Sequence, residues 1–139
     1  MKTIVVGVDG SADSRRAVEW AGDLAEENGA RVVAVHAVGL LEHERGDPGG
    51  SHLLPQLEVW TAPLDRLEAR QVERRLVAGE PVDALLAAAA DCAADLVVVG
   101  TRGAGAHGAM RLGSTSVRLA EGSACPVVIV PVTRAAARP

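Results

Sequence analysis

Several residue types are scarce in this chain, and each scarcity excludes a class of protein. The sequence has no Phe, no Tyr, two Trp and two Cys among 139 residues. The core must therefore be built from Val, Leu, Ile and Ala, which suit a parallel sheet covered by helices. Cys92 and Cys125 follow no metal-binding or redox spacing, so we expect two reduced thiols and a cytoplasmic location.

Lysine is almost absent, since Lys2 is the only one in the chain. A P-loop NTPase needs a Gly-Lys-Ser/Thr sequence, which this chain lacks, so that class is excluded. An enzyme that uses a Schiff-base lysine is not expected either. A formal net charge of −4 provides no basic surface for nucleic acid. No apolar run approaches the length of a membrane span. We therefore expect neither nucleic acid nor a membrane as a partner.

The most informative stretch leads from an apolar strand through a Gly-rich loop (residues 100–113) into a helix. Residues 96–99 are continuously apolar, which predicts a strand covered on both faces. Glycine lets backbone N–H groups approach an anion closely. The loop has five glycines: Gly100, Gly103, Gly105, Gly108 and Gly113. The helix that follows offers unpaired first-turn N–H groups, its dipole and the hydroxyls of Ser114, Thr115 and Ser116 to a phosphate.

Strand and helix patterns alternate along the rest of the chain. Strands are predicted over residues 3–8, 31–38, 71–78, 96–99 and 126–132. Helices are predicted from an N-cap at Ser11 to a C-cap at Asn28-Gly29, after Thr61, over 82–92 and over 114–121. The second of these helices, after Thr61, is short because Pro63 limits it. We expect an α/β domain over residues 1–132, a doubly wound parallel sheet with helices on both faces, and a disordered tail over 133–139.

The ligand of such a sheet lies at the carboxyl ends of the strands beside the topological switch point. If the first and fourth strands flank that point, Asp9 meets the Gly-rich loop there. Asp9-Gly10-Ser11 is also ordinary turn and helix-cap chemistry, so Asp9 alone indicates no ligand. His36 is interpreted as a structural histidine, and the turn-rich residues 39–55 match no metal-ligand spacing.

The spacing Gly100-x2-Gly103-x9-Gly113-Ser114 resembles the nucleotide-binding signature of the universal stress protein family. The whole chain is similar to a single domain of that family, for example at Val77-Ala-Gly-Glu-Pro81 and Cys125-Pro-Val-Val-Ile-Val-Pro131. The resemblance implies a five-stranded sheet of order 3-2-1-4-5 and a homodimer. In the ATP-binding branch it also implies that Asp9 and the backbone of Ala37 contact the nucleoside, and that ribose and phosphates are held by Gly100, Arg102, Gly103, Gly113, Ser114, Thr115 and Ser116.

We therefore expect an ATP-binding stress-response regulatory protein, a binding module with at most slow hydrolysis, because no general base or lysine clamp is evident. Mg²⁺ would accompany ATP, held mainly by phosphates and water. One alternative is an ATP-pyrophosphatase-like adenylating enzyme, although Asp9 would repel the pyrophosphate bound by the loop of that class. The other is a nucleotide-free interaction module that dimerises by antiparallel pairing of its last strand, through Val127, Val128, Ile129 and Val130.

Overall fold

The computed structural model describes residues 1–39, 51–101 and 114–132. Within these ranges the strands are β1 (Thr3–Gly7), β2 (Arg31–Val38), β3 (Val72–Ala78), β4 (Leu96–Gly100) and β5 (Val127–Val130). The α-helices are α1 (Ala12–Asn28), α2 (Leu54–Trp60), α3 (Pro81–Cys92) and α4 (Ser114–Gly122). Short 3-10 helices cover Ser51–Leu53, Ala62–Arg66 and Ala69–Gln71. The tail predicted over 133–139 lies outside the described residues, as do residues 40–50 of the turn-rich connection.

The five strands form one parallel sheet in the order β3-β2-β1-β4-β5, which confirms the predicted fold class. Val6 at the centre pairs with Ala34 of β2 on one side and with Val98 of β4 on the other. The chain winds outward in one direction from β1 to β3 and in the other from β4 to β5. The topological switch point therefore lies between β1 and β4, as expected.

Two apolar cores lie on opposite faces of the sheet, because successive strand side chains point to opposite sides. Ile4 and Val6 of β1 belong to the core that α1 covers, together with Val18 and Leu57. The next residue of β1, Val5, belongs to the other core, which α3 and α4 cover with Leu85 and Leu119 among others. Val and Ala fill most of the described interior, so aromatic side chains are not needed to separate these layers.

The capping signals of α1 are confirmed. The Ser11 side chain accepts a hydrogen bond from the Ser14 N–H, and Gly29 ends the helix in the left-handed region at φ 69°. Strand β2 begins and ends where the pattern predicted. Strand β5 is shorter than the predicted residues 126–132. No helix within the described ranges is long and apolar enough to cross a membrane.

The second helix was placed wrongly from the sequence. Helix α2 precedes Thr61, and Ala62–Arg66, which follows it, is a 3-10 helix with Pro63 in its first turn. The buried Thr61 hydroxyl donates to the Leu57 carbonyl at 2.7 Å and closes α2 there. Pro55 is tolerated at the start of α2 because the first-turn N–H groups have no intrahelical partner. The prediction was therefore wrong about the position of this helix, which ends where it was expected to begin.

Asp95 joins the start of β4 to the start of β1. Its Oδ2 accepts hydrogen bonds from the backbone N–H groups of Lys2, at 2.8 Å, and Thr3, at 2.9 Å. The Asp95 N–H donates in return to the Thr3 carbonyl at 2.9 Å. The backbone donors of Lys2 and Thr3 favour the charged carboxylate and hold the pKa of Asp95 below its usual range.

This lowered pKa predicts an acid-dependent contribution to stability. A group whose folded pKa lies below its unfolded value stabilises the fold above the unfolded pKa, and that contribution disappears as pH falls through the folded pKa. We therefore expect Asp95→Asn to lower Tm at pH 7, and the difference from wild type to shrink as pH falls below about 4. Thermal melts across this range test it, with the exposed Glu121→Gln as control. A Tm difference that stays constant down to strongly acid pH would contradict this role of the carboxylate.

Candidate functional site

The candidate site lies where the carboxyl ends of β1 and β4 meet. Beyond β1, the Val8 N–H still donates to the Val35 carbonyl of β2 at 2.9 Å, and Asp9 follows immediately. Beyond β4, the chain continues to Thr101. Because β1 and β4 are neighbouring parallel strands, Asp9 and Thr101 emerge at the same edge of the sheet. This is the crevice in which doubly wound sheets bind their ligands.

Asp9 builds the turn that starts α1. Its Oδ1 accepts hydrogen bonds from the Ser11 N–H at 2.9 Å and from the Ser11 hydroxyl at 2.5 Å. The Asp9 N–H donates to the Ser14 hydroxyl at 3.3 Å. The half-buried carboxylate thus has the turn role recognised in the sequence. It also lies at the crevice, where the family resemblance placed a nucleoside contact.

Gly100, the last residue of β4, packs directly on the first turn of α1. A Cβ at this position would lie 2.6 Å from the backbone carbonyl carbon of Asp13 and 2.7 Å from its oxygen. Such distances do not occur between real side chains and backbone, so only glycine fits here. The structure therefore explains Gly100 by helix packing. Next to it, the Thr101 hydroxyl donates to the Asp13 carboxylate at 2.5 Å.

Helix α4 begins beside the carboxyl end of β4. Ser114 is exposed, Thr115 is half-buried and Ser116 is buried. The Ser116 hydroxyl lies 2.8 Å from the Gly100 carbonyl oxygen and 3.4 Å from that of Thr101, so it donates mainly to Gly100. In this conformation Ser116 contacts the protein backbone, whereas the sequence had assigned it to the ligand. Ser114 and Thr115 occupy the first turn, where backbone N–H groups have no intrahelical partner and the helix dipole favours an anion.

His36 and Ala37 lie at the carboxyl end of β2, the strand next to β1. His36 Nδ1 is 2.7 Å from the Val8 carbonyl oxygen, and since a carbonyl only accepts, Nδ1 carries the proton and donates. This contact agrees with the structural role expected from the sequence. Ala37 pairs with Val77 of β3 and packs on the side of the sheet that α3 covers. The resemblance assigned the adenine contact to the backbone of Ala37.

Trp60 was missed as a residue of this region. Its indole meets the His36 ring edge-on, with centroids 5.1 Å apart and an interplanar angle of 68°. It also covers Gly10, where φ is +82° and a Cβ would lie 2.6 Å from indole Cε2. A small open cleft of about 90 Å³ lies beside it, lined by Gly10, Ser11, Ala12, Ser14, Arg15 and Trp60. One signal in the sequence indicated a role of Trp60, namely that the chain has only two tryptophans.

Several candidate residues fall outside the described ranges. These are Arg102, Gly103 and Gly113 of the spacing motif. Among the residues that the structure describes, Asp9, Gly100 and the start of α4 come together at one edge, with Ala37 on the neighbouring strand. Over the same residues, no group of three or more His, Cys, Asp or Glu is arranged to hold a metal ion. The first turn of α4 can donate hydrogen bonds to an anion from its N–H groups and from the hydroxyls of Ser114 and Thr115. The Asp9 carboxylate can accept a hydrogen bond from a ligand.

A family model and several curated relatives of this chain point to one family. The family model described as "Universal stress protein family" matches residues 1–131. A Thermus aquaticus universal stress protein is 36% identical over 93% of this chain and 98% of its own length. A Mycobacterium tuberculosis universal stress protein is 33% identical over 95% of this chain and 97% of its own length. A Mycolicibacterium smegmatis relative is 33% identical over 91% of this chain but is covered over only 45% of its length.

Solved structures give the same answer for the fold. A universal stress protein crystallised in complex with cAMP is 34% identical, with a TM-score of 0.75 over 95% of this chain and 98% of the other. UspA from Lactobacillus plantarum is 20% identical, with a TM-score of 0.79 over 93% and 97%, and shares the fold. The family match spans nearly the whole chain and the architecture agrees with it. The chain belongs to the universal stress protein family.

Proposed function

We propose that the chain is a nucleotide-binding regulatory protein of the stress response, cytoplasmic in location, with ATP and Mg²⁺ as its ligands. One observation carries the proposal. The first turn of α4 is fixed to the carboxyl end of β4 by the 2.8 Å hydrogen bond from Ser116 to Gly100. The N–H groups of that turn have no intrahelical partner, and they lie near the carboxyl end of β4, the neighbour of the strand that Asp9 follows. Such a position favours a phosphate. The cAMP complex of a 34% identical relative supports a nucleotide as the ligand class.

Each proposed ligand residue has a role that follows from its place. Asp9 and the backbone of Ala37, at the ends of β1 and β2, would contact the nucleoside. Ser114 and Thr115 would donate to phosphate from the first turn of α4. The remaining proposed contacts come from the spacing motif, namely Gly100, Arg102, Gly103 and Gly113. We assign Ser116 a supporting role, because its hydroxyl donates to backbone.

The proposed role is binding and signalling rather than turnover. The phosphate donors are backbone N–H groups, hydroxyls and Arg102, because the only lysine of the chain, Lys2, precedes β1. Phosphoryl transfer also needs a residue that orients the attacking water, and none of the proposed ligand residues has that role. Hydrolysis would therefore be slow at most, and nucleotide occupancy would change the conformation or the partner choice of the protein.

We also propose a homodimer formed through β5. This strand is at one edge of the sheet, is entirely apolar, and keeps Val127, Val128 and Ile129 only half-buried. The opposite edge is protected, because β3 carries Glu73, Arg74 and Arg75. Charged edge strands resist pairing with another sheet, whereas an apolar edge invites it. The asymmetry of the two edges therefore favours β5 as the interface between two copies.

The nucleotide site is tested by Gly113→Val. A β-branched side chain at the residue before α4 should block close approach of the phosphates to the helix N-terminus, so we expect ATP–Mg²⁺ affinity to fall at least ten-fold. Gly122→Val is the matched control at the other end of the same helix, where a Cβ meets only Leu86 Cδ1 at 3.4 Å. Calorimetric titration of wild type and both variants measures the effect, with Tm as a check on folding.

The same titrations, repeated with AMP and cAMP, identify the preferred nucleotide. Tighter binding of ATP than of AMP would support phosphate contacts beyond the first. Selective binding of cAMP would support the nucleotide site but would identify cAMP, and not ATP, as its ligand. A wild type that binds none of the three would contradict nucleotide binding and favour the nucleotide-free interaction module.

The dimer is tested at Ile129 by a substitution that acts on the free edge. The Pro126 carbonyl accepts a hydrogen bond from the Val97 N–H at 3.0 Å, so the alternation of the ladder directs the backbone groups of Ile129 away from β4. Ile129→Pro should remove an interface donor without breaking the β4 ladder, and we expect dimer to convert to monomer. Ile129→Ala keeps that N–H and serves as control. Sedimentation velocity at micromolar concentration measures the change, and a monomeric wild type would refute the proposal.

A further inference from the structure

The carboxyl end of β4 is held by hydrogen bonds from both faces of the sheet. On the α1 side, the Asp13 carboxylate accepts a hydrogen bond from the Thr101 hydroxyl at 2.5 Å. On the α4 side, the Ser116 hydroxyl donates to the Gly100 carbonyl at 2.8 Å. We name these four residues, Asp13, Gly100, Thr101 and Ser116, the β4 clamp. The clamp joins α1 to β4, which is 88 residues further along the chain at this contact, and to α4, which follows β4.

The clamp leaves the chain little freedom at this point. Gly100 lies so close to α1 that even a Cβ would overlap the Asp13 backbone. Asp13 is 7% exposed and Ser116 is 2% exposed, so water does not compete effectively for either hydrogen bond. The bond to the Asp13 carboxylate is charge-assisted and stronger than one between neutral groups. The direction in which the chain leaves β4 is therefore set by α1 and α4 together.

Asp13 is not itself suited to contact a phosphate. Its carboxylate is buried, it is negative, and one oxygen already accepts the Thr101 hydroxyl. Bringing a phosphate against such a group would be repulsive. Asp13 instead accepts the hydrogen bond from Thr101, and this role explains an acidic residue close to a proposed anion site. The first turn of α1 gains a partner in the chain that leaves β4, and Thr101 is fixed beside the start of α4.

We propose that Asp13, Thr101 and Ser116 are positioning residues for the phosphate end of the bound nucleotide. The proposal rests on the nucleotide-binding function proposed above and adds residues that act without touching the ligand. The clamp holds Gly100 and Thr101, the first two residues of the Gly-rich loop, and the first turn of α4 in one fixed relation. Loss of the clamp should weaken the binding of phosphates more than the binding of a nucleoside, which Asp9 and Ala37 contact from β1 and β2.

The decisive comparison uses Thr101→Val and Thr101→Ser in the full chain. Valine has nearly the shape of threonine but has no hydroxyl to donate to Asp13, whereas serine keeps that hydroxyl. We expect Thr101→Val to weaken ATP–Mg²⁺ binding by up to about ten-fold, because binding must then restore the ordering that the lost hydrogen bond supplied, and one such bond contributes at most about that factor. Adenosine affinity should stay within about two-fold of wild type, and Thr101→Ser should restore ATP binding. Calorimetry for ATP and competitive displacement for adenosine give the two dissociation constants.

Ser116→Ala removes the hydrogen bond on the other side and should change the ratio of ATP to adenosine affinity in the same direction. Ser123→Ala is the matched control, because the Ser123 hydroxyl also donates to a backbone carbonyl, that of Cys125, at 2.7 Å, after α4 has ended. The control should lose a similar hydrogen bond and leave the ratio unchanged. Tm of each variant separates general destabilisation from the effect on the ligand.

Three results would overturn the positioning role. They are wild-type ATP affinity in Thr101→Val, an equal loss of ATP and adenosine affinity, and a failure of Thr101→Ser to restore ATP binding. Failure of the proposed function has a different signature. There the wild type itself binds neither ATP nor adenosine, which rejects nucleotide binding and the positioning role with it.

Discussion

The contact between the first turn of α1 and the end of β4 is the constraint on which the candidate site depends. Gly100 has no side chain, so the backbone of Asp13 can lie against it, and a methyl group there would overlap at 2.6 Å. This approach brings the Asp9 turn, the cap of α1 and the residue that leaves β4 to one edge. Helix α4 is fixed to the same carbonyl from the other face by Ser116. The crevice therefore follows from close backbone packing.

The lack of Phe and Tyr makes such close packing possible. Valine strands and alanine-rich helices bring the layers near one another, and even Gly7 of β1 has Leu85 at 3.0 Å from the position of a Cβ. Charged side chains are placed on the edge strand β3, where Arg75 pairs with Glu73 and with Asp91. The other edge, β5, carries only apolar side chains. The same composition thus produces a small-residue core and two sheet edges of different character.

The chemistry available at the crevice is that of binding an anion through fixed dipoles. The hydrogen bond from Ser116 to Gly100 fixes the first turn of α4 to β4, so the N–H groups of that turn would need little reorganisation to meet a ligand. A site of this kind is able to recognise a phosphate without lysine, which this chain has only at residue 2. Membership of the universal stress protein family agrees with such a site, since a 34% identical relative was crystallised with cAMP. The family relation and the geometry of the crevice both support the nucleotide proposed as the ligand.

The sequence by itself determined the features that depend on neighbouring residues. Buried strands, the cap at Ser11, the left-handed end at Gly29 and the family motif are all local patterns, and the alternation of strands and helices implied the doubly wound sheet. Only the tertiary structure decided where α2 ends, because Thr61 is fixed there by Arg74 of β3, whose Nε donates to its hydroxyl at 2.6 Å. It also decided the partners of Trp60, Asp13 and Ser116. A side chain's partner depends on which distant elements meet in space, and no spacing along the chain specifies that meeting.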